Sequence, residues 1–316
     1  MKRIKQSILA VKLFVEDYFA IEINGKKIPP PTAREMEIMK DLREDISARA
    51  KNQGGTTWRG FSLRLRNYIR CFDPRRFLRW HVIRQTMFMA RAWPECIDAL
   101  KADSEWGNIW QPVIKEDSFG DPIPDPTLPE SSGNRIVHAY HLLQLKKSTD
   151  ISFKDLDTIV EFGGGYGNMC RLLRRLGFKG TYILYDLPEF ISLQKFYLNG
   201  VGEGAINAKD LKEAMSKQNV LVSSREELEK VLGSAKKQNS LFIATWSLSE
   251  SPVAVREQVM PLVSDCTYYL FGYQPDFDEV NNVEYFRELS RQNEAIGWTE
   301  KFEKIWNGYY LFGKKK

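Results

Sequence analysis

Two apolar rhythms alternate through the second half of the chain. Short runs of mostly consecutive apolar residues, Thr158–Phe162, Thr181–Tyr185, Asn219–Val222, Ser240–Trp246 and Cys266–Tyr273, read as strands buried on both faces. Between and after them, Asn168–Leu176, Pro188–Leu198, Glu226–Leu232, Val253–Leu262 and Val283–Ile296 read as helices. Strand and helix in turn predict parallel βαβ units. Thr299–Ile305 and Tyr309–Phe312, on either side of Asn307-Gly308, predict a closing hairpin. No internal repeat interrupts this order.

The first half carries the helical period alone. Ile4, Ile8, Val11, Val15 and Tyr18 predict an amphipathic helix over residues 1–22. After Pro29–Pro31, Thr32 and Glu35 form the signature of a capping box opening a helix to about Lys51, which Gly54-Gly55 ends. Arg59–Cys71 mixes apolar and basic residues, and helices follow over Pro74–Arg91 and from Pro94 to about Lys101. Pro112, Pro122, Pro124, Pro126 and Pro129 make 105–133 a long loop, expected to fold over a site with Trp106, Asn108, Trp110, Gln111 and Asp117 as substrate contacts. Asn134–Lys147 is a further helix. The expected division is a helical, Arg-rich region 1–104, a Pro-rich loop with its connecting helix 105–150, and an α/β domain 151–316.

Composition narrows the class. The 316 residues suffice for one large domain or two smaller ones. No apolar run approaches the ~18 residues that cross a bilayer, and the basic start lacks a cleavage site, so a cytoplasmic protein is expected. Cys71, Cys96, Cys170 and Cys266 are scattered, which argues against zinc and disulfides, and no metal is called for. The net charge of +5 is uneven: residues 59–91 hold nine arginines, no lysine and one acid, Asp73. That field suits an anionic small-molecule or glycan partner, and less well a nucleic acid.

The chemistry centres on Glu161-Phe162-Gly163-Gly164-Gly165-Tyr166-Gly167, a strand–glycine turn–helix. Glycines allow a sharp turn and close ligand approach, and the helix N-terminus behind them offers unpaired N–H groups. A dinucleotide fingerprint would need glycine at 168, where the chain has Asn168. Glycines instead fall at 163, 165 and 167, a Glu-x-Gly-x-Gly-x-Gly pattern that resembles class I S-adenosylmethionine (SAM) methyltransferases. Asp186 ends the second strand, where an open α/β sheet places a ribose-binding acid, and Leu187 would pack on the adenine. Glu161 would orient the methionine end, with Gly164, Thr245 and Trp246 completing the cofactor side. Ser247 and Glu250 follow the fourth strand beside the transferred methyl. Glu250, His141 or His138 is the candidate base that takes a hydroxyl proton. Asn134, Tyr140 and Ser247 join Asn108, Trp110 and Gln111 as candidate acceptor contacts.

At Asn134–His141, Glu161–Gly167 and Ser247–Glu250 the chain resembles the sugar O-methyltransferase family found with bacterial surface-polysaccharide genes, over roughly residues 105–270. A methionine commonly follows the family glutamate, whereas this chain has Ser251. The resemblance implies a Rossmann-like α/β fold with a seven-stranded class I methyltransferase sheet, and the mainly helical N-terminal region before it is expected from the apolar period alone. It also implies SAM as cofactor and O-methyl transfer to a sugar, in polysaccharide or glycoconjugate biosynthesis. The helical region would supply an acceptor site, a lid or a homodimer face. An RNA methyltransferase is the alternative, set lower because the loop after the fourth strand lacks the Asp/Asn-Pro-Pro-aromatic run typical of base amino methylation. A SAM- or polyanion-binding protein without catalysis is another.

Overall fold

A computed structural model describes residues 2–48, 56–210 and 218–316. The predicted strands form the centre of one sheet: β1 (Thr158–Phe162), β2 (Thr181–Tyr185), β3 (Ile206–Asn207), β4 (Asn219–Val222), β5 (Ser240–Thr245), β6 (Tyr268–Tyr273), β9 (Ile296–Glu303) and β10 (Gly308–Lys315). Their order is β3-β4-β2-β1-β5-β6-β10-β9. β10 runs antiparallel to both β6 and β9, and the remaining pairs are parallel. This is the expected seven-stranded order with one short edge strand, β3, added. A small separate hairpin joins β7 (Asp276–Phe277) and β8 (Val280–Asn281).

Period two sorts each strand between two cores. Ile159, Leu241 and Ile243 belong to one, and Val160, Phe242 and Ala244 to the other. The first core also takes in Ile38, Leu42, Leu65, Ile69 and Phe72, so the N-terminal helices pack directly on the sheet's own layer. These are α1 (Lys2–Asp17), α2 (Ala33–Ala48), α3 (Thr56–Cys71), α4 (His81–Arg84), α5 (Pro94–Lys101) and α6 (Gln111–Ile114). α7 (Gly133–Thr149) precedes the sheet, and α8 (Asn168–Arg175), α9 (Pro188–Gly200), α10 (Arg225–Ser234), α11 (Val253–Val259) and α12 (Asn282–Gln292) connect its strands. α2 and α3 rest on α9, tied by a buried Arg66–Glu189 ion pair at 2.7 Å.

Several local expectations hold, and several do not. Thr32 and Glu35 exchange the two bonds of a capping box, at 3.2 and 2.7 Å. The stop at Gly54-Gly55 lies outside the described residues. On α1, Val11 and Val15 are exposed, as is Tyr18 in the π-helical turn that follows, while Phe14 meets Tyr68 and Phe72 edge-on. The single helix expected over Pro74–Arg91 is broken. Pro74–Arg79 is a 3₁₀ turn with Arg76 off helical angles, and Trp80 is extended (ψ 135°). The break lets Phe77 and Trp80 both enter the core, and Asp17 of α1 caps the new helix start by accepting from the His81 N–H.

Four of the nine arginines at 59–91 are spent inside the fold, while Arg59, Arg70, Arg84 and Arg91 are exposed. Arg75 pairs with Asp73, Arg76 and Arg79 with Asp121, and Arg66 with Glu189. Among the described residues no helix is long and apolar enough to cross a membrane, and no cluster of His, Cys, Asp and Glu is placed to hold a metal ion.

Candidate active site

A cavity of about 830 Å3 opens at the carboxyl ends of β1, β2 and β5, where an open α/β sheet binds its ligands. Its floor is the glycine turn. Gly163, Gly165 and Gly167 all take left-handed angles (φ +73°, +59° and +97°), which glycine adopts without penalty. A Cβ on Gly163 would overlap Ser247, and one on Gly165 would press Met87 at 3.2 Å. The turn is thus clasped between the β5–α11 loop and the segment that follows α4. Ser247 Oγ also donates to the Phe162 carbonyl.

Glu161 and Asp186 sit on the side of the cavity where the sequence places the cofactor. Glu161 is buried and accepts from Tyr182 Oη at 2.8 Å. Burial pushes its carboxyl up to about 8, against the Tyr182 bond and with the Asp186 charge adding. Asp186 accepts from its neighbour Leu187 N–H (2.7 Å) and from Gln194 Nε2 (2.8 Å). Its carboxyl is raised to about 7, again chiefly by burial. Gln194 bonds the Gly165 carbonyl as well, at 3.1 Å, tying the acid to the turn. Asn168, almost fully buried on the cavity wall, has neither amide atom partnered. An unpartnered buried amide is costly unless a ligand satisfies it. These groups fit SAM: Asp186 for the ribose diol, Glu161 for the ammonium end, and the α8 N-terminus with Asn168 for the carboxylate.

The opposite wall is aromatic. Trp93, Trp246 and Trp306 line it together with His138 and His141, while Trp58 lines the cavity from beside Phe190 of α9. The His141 ring lies 5.1 Å from Trp246 and 5.4 Å from Trp306, between centroids. Its Nδ1 meets Tyr310 Oη, and its Nε2 has no partner. Burial holds His141 well below the usual histidine range, with the His138 charge adding, and lowers His138 to about 4 with Arg135 adding. Both rings are therefore neutral near pH 7. Trp246 has a left-handed backbone (φ +64°), an uncommon angle for a bulky residue that turns the chain out of β5. Glu250 follows one turn later. Its carboxyl has no hydrogen bond or ion pair among the described residues, and burial alone raises it to about 7.

Of the residues expected at the site, Glu161, Gly163, Gly164, Gly165, Asp186, Leu187, Thr245, Trp246, Ser247, Glu250, Asn134, His138 and His141 line this one cavity. Gly167 stands just behind it as the N-cap of α8. Asn108, Trp110, Gln111 and Tyr140 do not reach it. Trp110 is fully buried, with Nε1 bonded to Asp103 at 3.1 Å, and Tyr140 Oη donates to Glu303 at 2.7 Å. The Pro-rich loop is a strap, not a lid. Its Asp117 takes Arg135, Arg171 and Arg175 at 3.1, 2.9 and 2.7 Å, and its Asp125 accepts from the Ala92 N–H at 2.8 Å. The cavity is covered instead by residues 84–90, Trp93 and Trp58, with Trp306 from the β9–β10 turn. That cover is pinned to the start of α7 by Asn134 N–H to the Met89 carbonyl (2.6 Å). The Asn307-Gly308 turn signal was the available pointer to Trp306. Nothing local marks 84–90.

Three raised carboxyls give the protein a pH dependence. A folded-state value above the unfolded one is stability present at low pH and lost as pH rises through it. The two lowered histidines act in the opposite sense, but only below about pH 6.5. From pH 6.5 to 8.5 the carboxyls act alone. The ligand-free protein is expected to lose stability on the order of 1–3 kcal/mol over that interval. Urea unfolding at several pH values checks this, and a flat or rising profile would refute the burial of these groups.

No protein-family model and no curated protein matches the chain. Solved structures similar to it include an rRNA methylase from Streptococcus thermophilus, at 11% identity and TM-score 0.39 over 57% of this chain and 95% of that one. A magnesium protoporphyrin IX methyltransferase from Synechocystis, with SAM bound, is 10% identical with TM-score 0.38 over 71% and 99% of the two chains. Mitomycin 7-O-methyltransferase is 11% identical with TM-score 0.36 over 74% and 70%. Similarity this low says nothing of substrate. The strand order, with β10 reversed between β6 and β9, makes the fold that of class I SAM-dependent methyltransferases.

Proposed function

We propose that the protein is a SAM-dependent O-methyltransferase whose acceptor is a sugar hydroxyl, on an anionic or nucleotide- or lipid-linked saccharide. The observation that carries this reading is Glu250: an unpartnered carboxyl on the cavity wall, held near neutrality, one turn beyond the strand that ends at the cofactor side. When bound, SAM supplies a methyl group on a sulfonium cation, which becomes a neutral thioether once the methyl leaves. The protein's own part is to align the acceptor oxygen, exclude water and take its proton. A base with a value near the working pH combines availability with strength. Glu250 meets that requirement, whereas the two neutral histidines are weak bases. Their place is to bind the acceptor. Among the described residues the buried Tyr310 hydroxyl has His141 Nδ1 as its one partner, so it donates there and leaves Nε2 as an N–H donor.

The tryptophan wall favours a saccharide, because indole faces pack well against the C–H faces of a sugar ring. Arg84, exposed at the cavity edge and without an ion pair among the described residues, suits an anionic group on the acceptor. The RNA alternative is set lower, since four of the nine arginines in its charged segment, Arg66, Arg75, Arg76 and Arg79, are engaged in ion pairs. Incubation with methyl-labelled SAM and a panel of nucleotide sugars, acidic oligosaccharides and RNA tests the reading. Label in a saccharide, stable to mild alkali as an ether, is the expected result. Label in RNA alone would overturn it.

A further inference from the structure

We infer that Glu250 makes the cavity charge-selective, so that it holds cationic SAM more tightly than the neutral product S-adenosylhomocysteine and thereby favours product release. The inference rests on the SAM reading above. Two features of the fold support it. The Ser247–Glu250 turn sits directly on the glycine turn, with Ser247 against Gly163 and bonded to the Phe162 carbonyl. Glu250 is therefore carried by the loop that touches the cofactor floor. That loop is also rigidly held: Arg256 of α11 donates to the Ser251 carbonyl at 3.0 Å and to the Ser249 carbonyl at 2.7 Å, and Ser249 Oγ to the Trp246 carbonyl at 2.7 Å.

The surrounding charges leave this role to Glu250. The ionisable groups on the cavity besides Glu250 are Glu161 from β1, Tyr166 in the glycine turn, Tyr185 from β2, Asp186 after β2, His81 and Arg84 from α4, and His138 and His141 from α7. Burial raises both tyrosines, which stay protonated from about pH 6 to 8.5. Arg84 is exposed at the edge. The Arg256 guanidinium is occupied by the two carbonyls and stacks on Tyr285, 4.6 Å from the ring. His138 and His141 are neutral. Glu161 and Asp186 face parts of the ligand, the amino-acid end and the ribose, that SAM and its product share. Their titration therefore cancels in the ratio of the two affinities. Glu250 is left as the unpaired carboxyl on the wall beyond the shared groups, where the two ligands differ by one positive charge.

The sign follows from linkage. A cation beside Glu250 favours its ionised form, so binding SAM lowers its proton affinity, and the advantage over the product grows as pH rises. A one-unit change in proton affinity corresponds to about a tenfold ratio. Titration calorimetry with SAM and with S-adenosylhomocysteine at pH 6 and pH 8.5 reads this directly, without an acceptor. The preference for SAM is expected to rise by about tenfold across that range. In Glu250→Gln it should be small and constant with pH, while Glu250→Asp should keep the pH-dependent preference. A wild-type ratio independent of pH, or one unchanged in Glu250→Gln, overturns the inference while leaving the SAM reading intact. Failure of both ligands to bind overturns the SAM reading itself.

Discussion

Glu250→Gln is expected to lower methyl transfer by roughly 10²–10⁴-fold at saturating SAM, the range general-base assistance contributes. Glutamine keeps the shape of the side chain and its place on the Arg256-anchored loop, and removes only the ability to take a proton. Any weakening of SAM binding, about tenfold, is overcome at saturation and cannot account for the loss. The wild-type rate should climb with pH below about 7, because bound SAM lowers the Glu250 carboxyl from its ligand-free value of about 7, and this limb should vanish in the variant. His141→Phe should act differently, raising KM for the acceptor more than it lowers kcat, because the lost group is a hydrogen-bond donor to the acceptor and not the base. If the two variants exchange these signatures, the histidine is the base and Glu250 a binding group.

Gly163→Ala is the substitution expected to do most damage to the cofactor site. Alanine there meets a left-handed backbone (φ +73°) and overlaps Ser247 at once. Strain at such an angle costs on the order of 1 kcal/mol, and forcing an extra methyl into a filled space about 1–3 kcal/mol more. Because Ser247 begins the loop that carries Glu250, the displacement would spread into both halves of the cavity. SAM affinity should fall by on the order of 100-fold, about 2.7 kcal/mol. Gly202→Ala separates the two causes. Its backbone is equally left-handed (φ +81°), yet nothing lies within 4 Å of the added carbon. It should lose about 1 kcal/mol of stability and leave SAM binding untouched. Calorimetry and thermal unfolding on both variants check the contrast.

The parts of this molecule that were legible in the sequence are those whose physics is local. β1, β2 and β4 begin and end where the mostly apolar runs do, because a strand buried on both faces reads as a nearly continuous apolar run. The glycine spacing at 163, 165 and 167 answers to three positive φ angles within five residues. Thr32 and Glu35 find each other three residues apart. The cover of the cavity, by contrast, depends on partners far along the chain. Met87 and Met89 are held over the glycine turn by Asn134 and Gly165, and no spacing announces that. The Pro-rich loop misled for the same reason. Its polar residues look available in sequence, but Asp117 is claimed by arginines on α7 and α8, and Trp110 by the core. In the arginine cluster a charge count cannot tell the exposed Arg59, Arg70, Arg84 and Arg91 from Arg66, whose partner Glu189 lies 123 residues away.

Methyl transfer with Glu250 as the base requires the cavity above the glycine turn to be a SAM site. Titration calorimetry of the purified protein with SAM tests that directly. Saturable binding of one SAM per chain, tighter than about 1 mM and abolished by Asp186→Ala, is the predicted result. An absence of binding at millimolar SAM, or binding that survives both Asp186→Ala and Gly163→Ala, would contradict it.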